Sequence, residues 1–141
     1  MNIAVVENDV ISINKLRGKL IRELMAKGYK VTVLTSGTLQ EMQMAKEKGY
    51  NIVDVGRSVK HPLDITRYLF NIYRALRKSK ADICLTFTIR PAIWGNFVTR
   101  FLGIPTVTNI TGIGPLFTSD DIAYRGARYL YKFALMKVAK V

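Results

Sequence analysis

The sequence has few of the residues from which metal centres and disulfide frameworks are built. It contains one cysteine, Cys84, and one histidine, His61. A lone cysteine excludes an internal disulfide framework and a multi-cysteine metal site, and it suits a reducing compartment. Cys84 stands in the apolar run Ile83-Cys84-Leu85 and reads as a small buried hydrophobe. His61 precedes Pro62 and reads as a surface turn residue at a helix start, so no metal is expected. A Ser-His-Asp triad is possible by count, but no spacing supports one. Long apolar runs are missing as well. The longest uncharged stretch, Phe101 to Ser119, is interrupted by Gly103, Pro105, Gly112, Gly114 and Pro115, which rules it out as a membrane-spanning helix. Met1 is followed within a few residues by Glu7 and Asp9 rather than by a basic stretch and an apolar core, so no signal peptide is expected. Closely spaced glycines are absent after the first apolar run, where Glu7-Asn8-Asp9-Val10-Ile11-Ser12 stands instead. That argues against a dinucleotide fingerprint and against a phosphate-cradling P-loop.

Acidic residues are scarce: 10 Asp and Glu face 22 Lys and Arg, a formal charge of +12. Such an excess draws a protein toward anionic partners such as lipid headgroups, pyrophosphates or nucleic acid. Hydrophobic residues make up 49% of the 141, with 23% charged, a balance that suits a packed core rather than disorder. The length fits one domain.

Short β-branched runs alternate with longer amphipathic stretches, the pattern of a parallel sheet covered by helices. Strands are expected at Ile3–Val6, Val31–Thr35, Ile52–Val55, Ile83–Phe87 and Thr106–Thr108. The first helix carries Leu16, Leu20 and Leu24 at four-residue spacing and ends near Gly28. A polar helix with Met42 and Met44 stops at Gly49. The helix opened by Pro62 has the expected buried stripe Leu63, Thr66, Leu69, Phe70, Tyr73 and Leu76. Another runs from near Pro91 to Gly103, and a last one from about Ile122 to Val138. Right-handed crossovers make this an α/β, Rossmann-like, doubly wound parallel sheet with strand order 3-2-1-4-5. The last helix has no following strand to cover one of its faces; it is either peripheral or followed by further chain.

Ligands of such sheets lie beyond the carboxyl ends of the strands, where the order reverses. That points to the loops carrying Glu7, Asn8, Thr88, Arg90, Asn109 and Gly112 to Gly114. Arg17, near the start of the first helix, either belongs to a solvated face or reaches over the sheet edge to a phosphate or carboxylate. Thr86, Thr88 and Arg90 leave the fourth strand together, suiting either a sugar or phosphate ligand or ordinary strand-exit capping. Asn109, Thr111, Gly112 and Gly114 form a side-chain-poor exit from the fifth strand, which lets a ligand approach the backbone. On the last helix Arg125, Arg128 and Lys132 share a face, with Tyr124, Tyr129, Tyr131 and Phe133 nearby. That face suits a membrane–water interface or plain solvation.

Three segments in order resemble a known family: Ser58-Val59-Lys60-His61-Pro62-Leu63, Leu85 through Asn96, and Thr108-Asn109-Ile110-Thr111-Gly112-Ile113-Gly114. Together with Leu16-Arg17 and Leu20-Ile21 they resemble the N-terminal domain of bacterial family 4 glycosyltransferases that build capsule, O-antigen and related lipid-linked glycans. Two departures stand out: many relatives have a glycine-rich loop where Glu7 to Ser12 stands, and a proline where Ala81 stands. The resemblance implies half of a GT-B architecture, with this acceptor-binding domain facing a C-terminal domain that binds the nucleotide-sugar donor. It implies a retaining, metal-independent transferase whose donor domain lies outside these 141 residues, so that this part alone is inactive. No cofactor is expected in this domain. The expected partners are a lipid-linked or glycan acceptor, an anionic membrane surface, and the donor domain in the same or a partner chain. The implied location is cytoplasmic, peripheral on the inner face of the cytoplasmic membrane. Two other readings compete: a non-catalytic acceptor-binding subunit of a split enzyme, and a nucleic-acid binder. No recognition motif favours the second, so no nucleic-acid partner is expected.

Overall fold

The computed structural model describes residues 1–57, 61–110 and 122–135. Five parallel strands form one sheet in the order β3-β2-β1-β4-β5. They are β1 (Asn2–Val6), β2 (Lys30–Thr35), β3 (Asn51–Asp54), β4 (Ile83–Phe87) and β5 (Thr106–Asn109). β1 pairs with β2 and β4, so the chain reverses its direction of travel across the sheet between β1 and β4. The α/β class and the strand order are as the sequence implies.

The helices form two layers. Helix α1 runs through Val10–Ser12, a π-helical turn at Ile13–Arg17, and Gly18–Ala26. With α2 (Leu39–Glu47) it covers one face, over Val5, Val33, Ile21 and Met42. Helices α3 (Pro62–Ser79) and α4 (Ile89–Leu102) cover the other, over Val6, Leu34, Ile72, Leu76 and Cys84. Complete burial in that layer pushes the Cys84 thiol pKa up to about 12. Helix α5 (Ile122–Leu135) packs outside α4, seating Tyr131 and Ala134 against Ala92 and Ile93. The face of the last helix that had no evident partner in the sequence is therefore covered by α4.

Three details differ from the sequence pattern. Helix α1 contains a π turn, and the side of the helix that meets the sheet follows the series Val10, Ile13, Arg17 and Ile21 rather than Leu16 and Leu20. Val10, Ile13 and Ile21 are buried, whereas Leu16 is 67% exposed and Leu20 is also exposed. On α3 the buried stripe is Tyr68, Ile72, Ala75 and Leu76; Leu63, Thr66 and Phe70 face out. Helix α4 starts at Ile89, two residues before Pro91, which fits because a third-position residue needs no intrahelical N–H bond. His61 caps α3 as expected, its Nδ1 accepting from Leu63 N at 3.4 Å.

Close approaches hold the edges of this frame. A side chain at Gly37 would meet Val10 Cγ1 at 2.5 Å, so only glycine lets the β2–α2 turn lie against α1. Ser36 Oγ donates to Asn8 O at 2.9 Å across the same junction. Among the described residues, no helix is long and apolar enough to cross a membrane. No group of three or more His, Cys, Asp or Glu residues there could hold a metal ion.

Candidate functional site at the strand-order reversal

β1 ends at the point of reversal, and the next residue is Glu7. Its side chain is fully buried, and three donors surround the carboxylate. Asn8 N donates to Oε1 at 2.9 Å, Thr88 Oγ1 donates to Oε1 at 3.4 Å, and Arg17 Nε donates to Oε2 at 3.2 Å. The Arg17 guanidinium also lies over the Phe87 ring, 4.3 Å from its centroid. Helical spacing brings it there: Ile13, Arg17 and Ile21 recur every four residues, so Arg17 lies on the sheet-facing side between two buried isoleucines, while the neighbouring Leu16 turns out. Tyr50 supports the helix just beyond: Arg22 Nη1 donates to its hydroxyl at 2.9 Å, and a side chain at Gly18 would crowd that hydroxyl at 3.0 Å.

Thr88 closes the cluster from β4. Its backbone has φ 68° and ψ 168°, a region essentially restricted to glycine. Neighbours hold it there: Thr88 N donates to Asn109 O at 3.3 Å, and Ala92 N donates to Thr88 O at 3.0 Å. As the N-cap residue of α4, Thr88 would ordinarily cap that helix with its hydroxyl. The hydroxyl makes no such bond and reaches Glu7 instead. Arg90 follows on the first turn of α4, exposed, and Asn109 is exposed at the end of β5. Tyr68, buried on α3, belongs to the same neighbourhood. Burial raises its hydroxyl pKa, the Arg90 charge lowers it, and Glu7 raises it further.

The structure thus brings Arg17, Thr88, Arg90 and Asn109 to one end of the sheet. Thr86 is not among them. Its hydroxyl is fully buried, 2.9 Å from Thr108 Oγ1 and 3.4 Å from Asn96 Oδ1, and Asn96 Nδ2 donates to Thr108 Oγ1 at 3.0 Å. This network joins β4, β5 and α4. On a regular strand Thr86 and Thr88 would share a face; β4 ends at Phe87, and the positive φ at Thr88 takes its side chain elsewhere, to Glu7, while Thr86 stays in the interior. Thr111, Gly112, Gly114 and the side chain of Arg125 lie outside the described residues. Arg128 is half-buried on α5 and Lys132 is exposed.

Phe87 and Tyr68 join the site although the sequence reading did not select them, and Glu7, in a loop to which the sequence pointed, was not chosen as a binding residue. Glu7 carried a signal: an acid directly after β1 in a chain with few acids. An open groove also runs along β3, lined by residues including Asp54, Asn71, Arg74 and Lys78. There Asp54 accepts from Gly56 N at 2.8 Å, and Asn71 donates to Val55 O at 3.2 Å, so both polar groups serve local structure. The reversal point is the better ligand site, since β1 and β4 diverge there and polar groups from three elements meet. Arg17 uses Nε for Glu7 and has no other hydrogen bond among the described residues, leaving both terminal nitrogens able to donate to an anion or a sugar hydroxyl.

A family model described as "Glycosyl transferase 4-like" matches residues 6–141. Among solved structures, MurG of Acinetobacter baumannii is similar with TM-score 0.64 and 17% identity, over 93% of this chain and 40% of that one. The UDP-GlcNAc 2-epimerase of Methanocaldococcus jannaschii gives 0.66 and 15%, over 95% and 37%. A glycosyltransferase of Rickettsia africae gives 0.62 and 17%, over 89% and 35%. The chain therefore spans well under half the length of these solved relatives, and at such identities the likeness is one of fold. No curated sequence matches. The match across nearly the whole chain places it plainly: the protein belongs to the glycosyl transferase 4-like family.

Proposed function

We propose that this chain is the acceptor-binding part of a glycosyltransferase, with the nucleotide-sugar donor bound by a further domain in the same or a partner chain. The acceptor is a lipid-linked glycan, and the product belongs to cell-surface polysaccharide biosynthesis. The transfer is retaining and metal-independent, as in the family the sequence resembles. The enzyme works at the inner face of the cytoplasmic membrane, held there by its basic surface. One observation carries the reading: the Glu7-held Arg17 guanidinium, fixed over Phe87 beside Thr88, at the sheet's reversal point. A guanidinium oriented by a buried carboxylate is pre-organised for a pyrophosphate or a sugar hydroxyl, and Arg90 adds a second cation on the same side. The fold also serves UDP-GlcNAc 2-epimerases, but the family match favours a transferase.

The test is sugar transfer to a polyprenyl-diphosphate-linked acceptor by the chain together with its donor domain. Arg90→Ala and Arg17→Lys are expected to lower kcat/KM at least about tenfold each, the scale of one charge-assisted hydrogen bond. Full activity in both variants would refute the site.

A further inference from the structure

The outer surface of the α3–α4–α5 layer has a feature that the acceptor site does not use. Rings and guanidiniums alternate across all three helices. Arg74 lies over Phe70, with 5.7 Å between guanidinium carbon and ring centroid, and Arg77 over Tyr73 at 5.8 Å. Tyr73 meets Phe101 of α4 at 6.2 Å between centroids. The adjacent Arg100 turns the other way, over Phe133 of α5 at 4.8 Å, and donates to Phe133 O at 3.2 Å. Phe101 is 81% exposed and Phe70 56%, although both are large and apolar. These three helices hold nine Lys or Arg residues and one acid, Asp64.

We infer that this ridge, from Phe70 through Tyr73 and Phe101 to Phe133, is the face that docks on an anionic lipid bilayer. The inference rests on the membrane-peripheral part of the function proposed above and assigns it to particular residues. A protein that kept this face in water would hold phenyl rings in solvent without return; at a bilayer the rings enter the headgroup layer while the arginines meet lipid phosphates. Charge complementarity selects the anionic leaflet, where each nearby cation adds to binding. Single-stranded nucleic acid is a poorer occupant, because base stacking needs open ring faces and guanidiniums already cover those of Phe70 and Phe133. The ridge includes α5 through Phe133 but is centred on α3 and α4, not on the Arg125, Arg128 and Lys132 face.

The experiment is co-sedimentation of the 141-residue chain with vesicles of phosphatidylglycerol and phosphatidylcholine, against pure phosphatidylcholine, over a salt series. Thermal melts confirm that each variant is folded. The wild-type chain is expected to bind the anionic vesicles and to be released by salt. Phe70→Ser with Phe101→Ser, and Arg74→Gln with Arg77→Gln, should each lower the partition coefficient roughly tenfold or more. Lys15→Gln with Lys19→Gln, on the opposite layer, should leave it within about twofold. If the wild type does not bind anionic vesicles, the membrane reading falls and the ridge with it. If it binds but the ridge variants do so unchanged, or Arg128→Gln with Lys132→Gln alone abolishes binding, the ridge assignment falls and the membrane reading stands. Preferential binding to single-stranded RNA, or self-association lost in the Phe70→Ser and Phe101→Ser variant, would also overturn the assignment.

Discussion

The two helical layers use arginine in opposite ways. On the α1 side, Arg17 faces inward, stacked on the buried Phe87 and paired with a fully buried carboxylate. On the α3–α5 side, Arg74, Arg77 and Arg100 lie on the surface over partly or largely exposed rings, and no salt bridge engages them among the described residues. The α1 and α2 helices hold five basic and three acidic residues, against nine and one in the other layer. The contrast teaches that charge excess and functional charge are separable. One cation is structural and oriented, and the others form a field.

The contrast can be broken most forcefully by truncating one arginine from each layer. Arg17→Ala leaves Glu7 buried without its counter-charge and is expected to lower unfolding free energy by about 3–5 kcal/mol. Arg74→Ala should change it by no more than about 0.5 kcal/mol. Urea denaturation measures both, and equal effects would erase the distinction. Next in size is the effect of which face of α1 packs on the sheet. Ile13→Ala should cost about 2–5 kcal/mol, and the exposed Leu16→Ala close to nothing. A reversal of that order would mean that Leu16 faces the sheet and that Arg17 does not face Glu7.

A smaller effect separates the layers by pH. Cys84, in the α3–α4 core, has its pKa raised from 9.0 to about 12. Above pH 9 the unfolded chain loses the thiol proton while the folded chain retains it. Stability is therefore full below pH 9 and falls by about 1.4 kcal/mol per pH unit as pH rises from 9 toward 12. Cys84→Ala should lessen that slope, as read from denaturation curves between pH 8 and 11.

The sheet was legible because its strands are short β-branched runs punctuated by glycine and proline, and right-handed crossovers leave few ways to order them. Arg17 was legible only as an alternative, since two four-residue series compete on this helix, Leu16, Leu20 and Leu24 against Ile13, Arg17 and Ile21, and only the first is wholly apolar. The series Ile13, Arg17 and Ile21 meets the sheet although it carries a charge, because the buried Glu7 pairs with that charge. Thr86 was misplaced because strand exit was read as a segment, whereas β4 ends at Phe87 and the positive φ of Thr88, which residue pattern does not announce, separates its surroundings from those of Thr86. Phe70 of α3 looked like core by its helical spacing, yet it is 56% exposed. Helix α5 and the arginines across α3 and α4 show which faces remain open.

The central claim is that the reversal point, organised by Glu7 and Arg17, binds the acceptor. An NMR titration of the chain with a short-chain polyprenyl diphosphate saccharide tests it most directly. The account predicts the largest shifts at the amides of Asn8, Thr88 and Arg90 and at Arg17 Nε. Shifts concentrated instead at Asp54, Asn71 and Arg74, along the β3 groove, would contradict it.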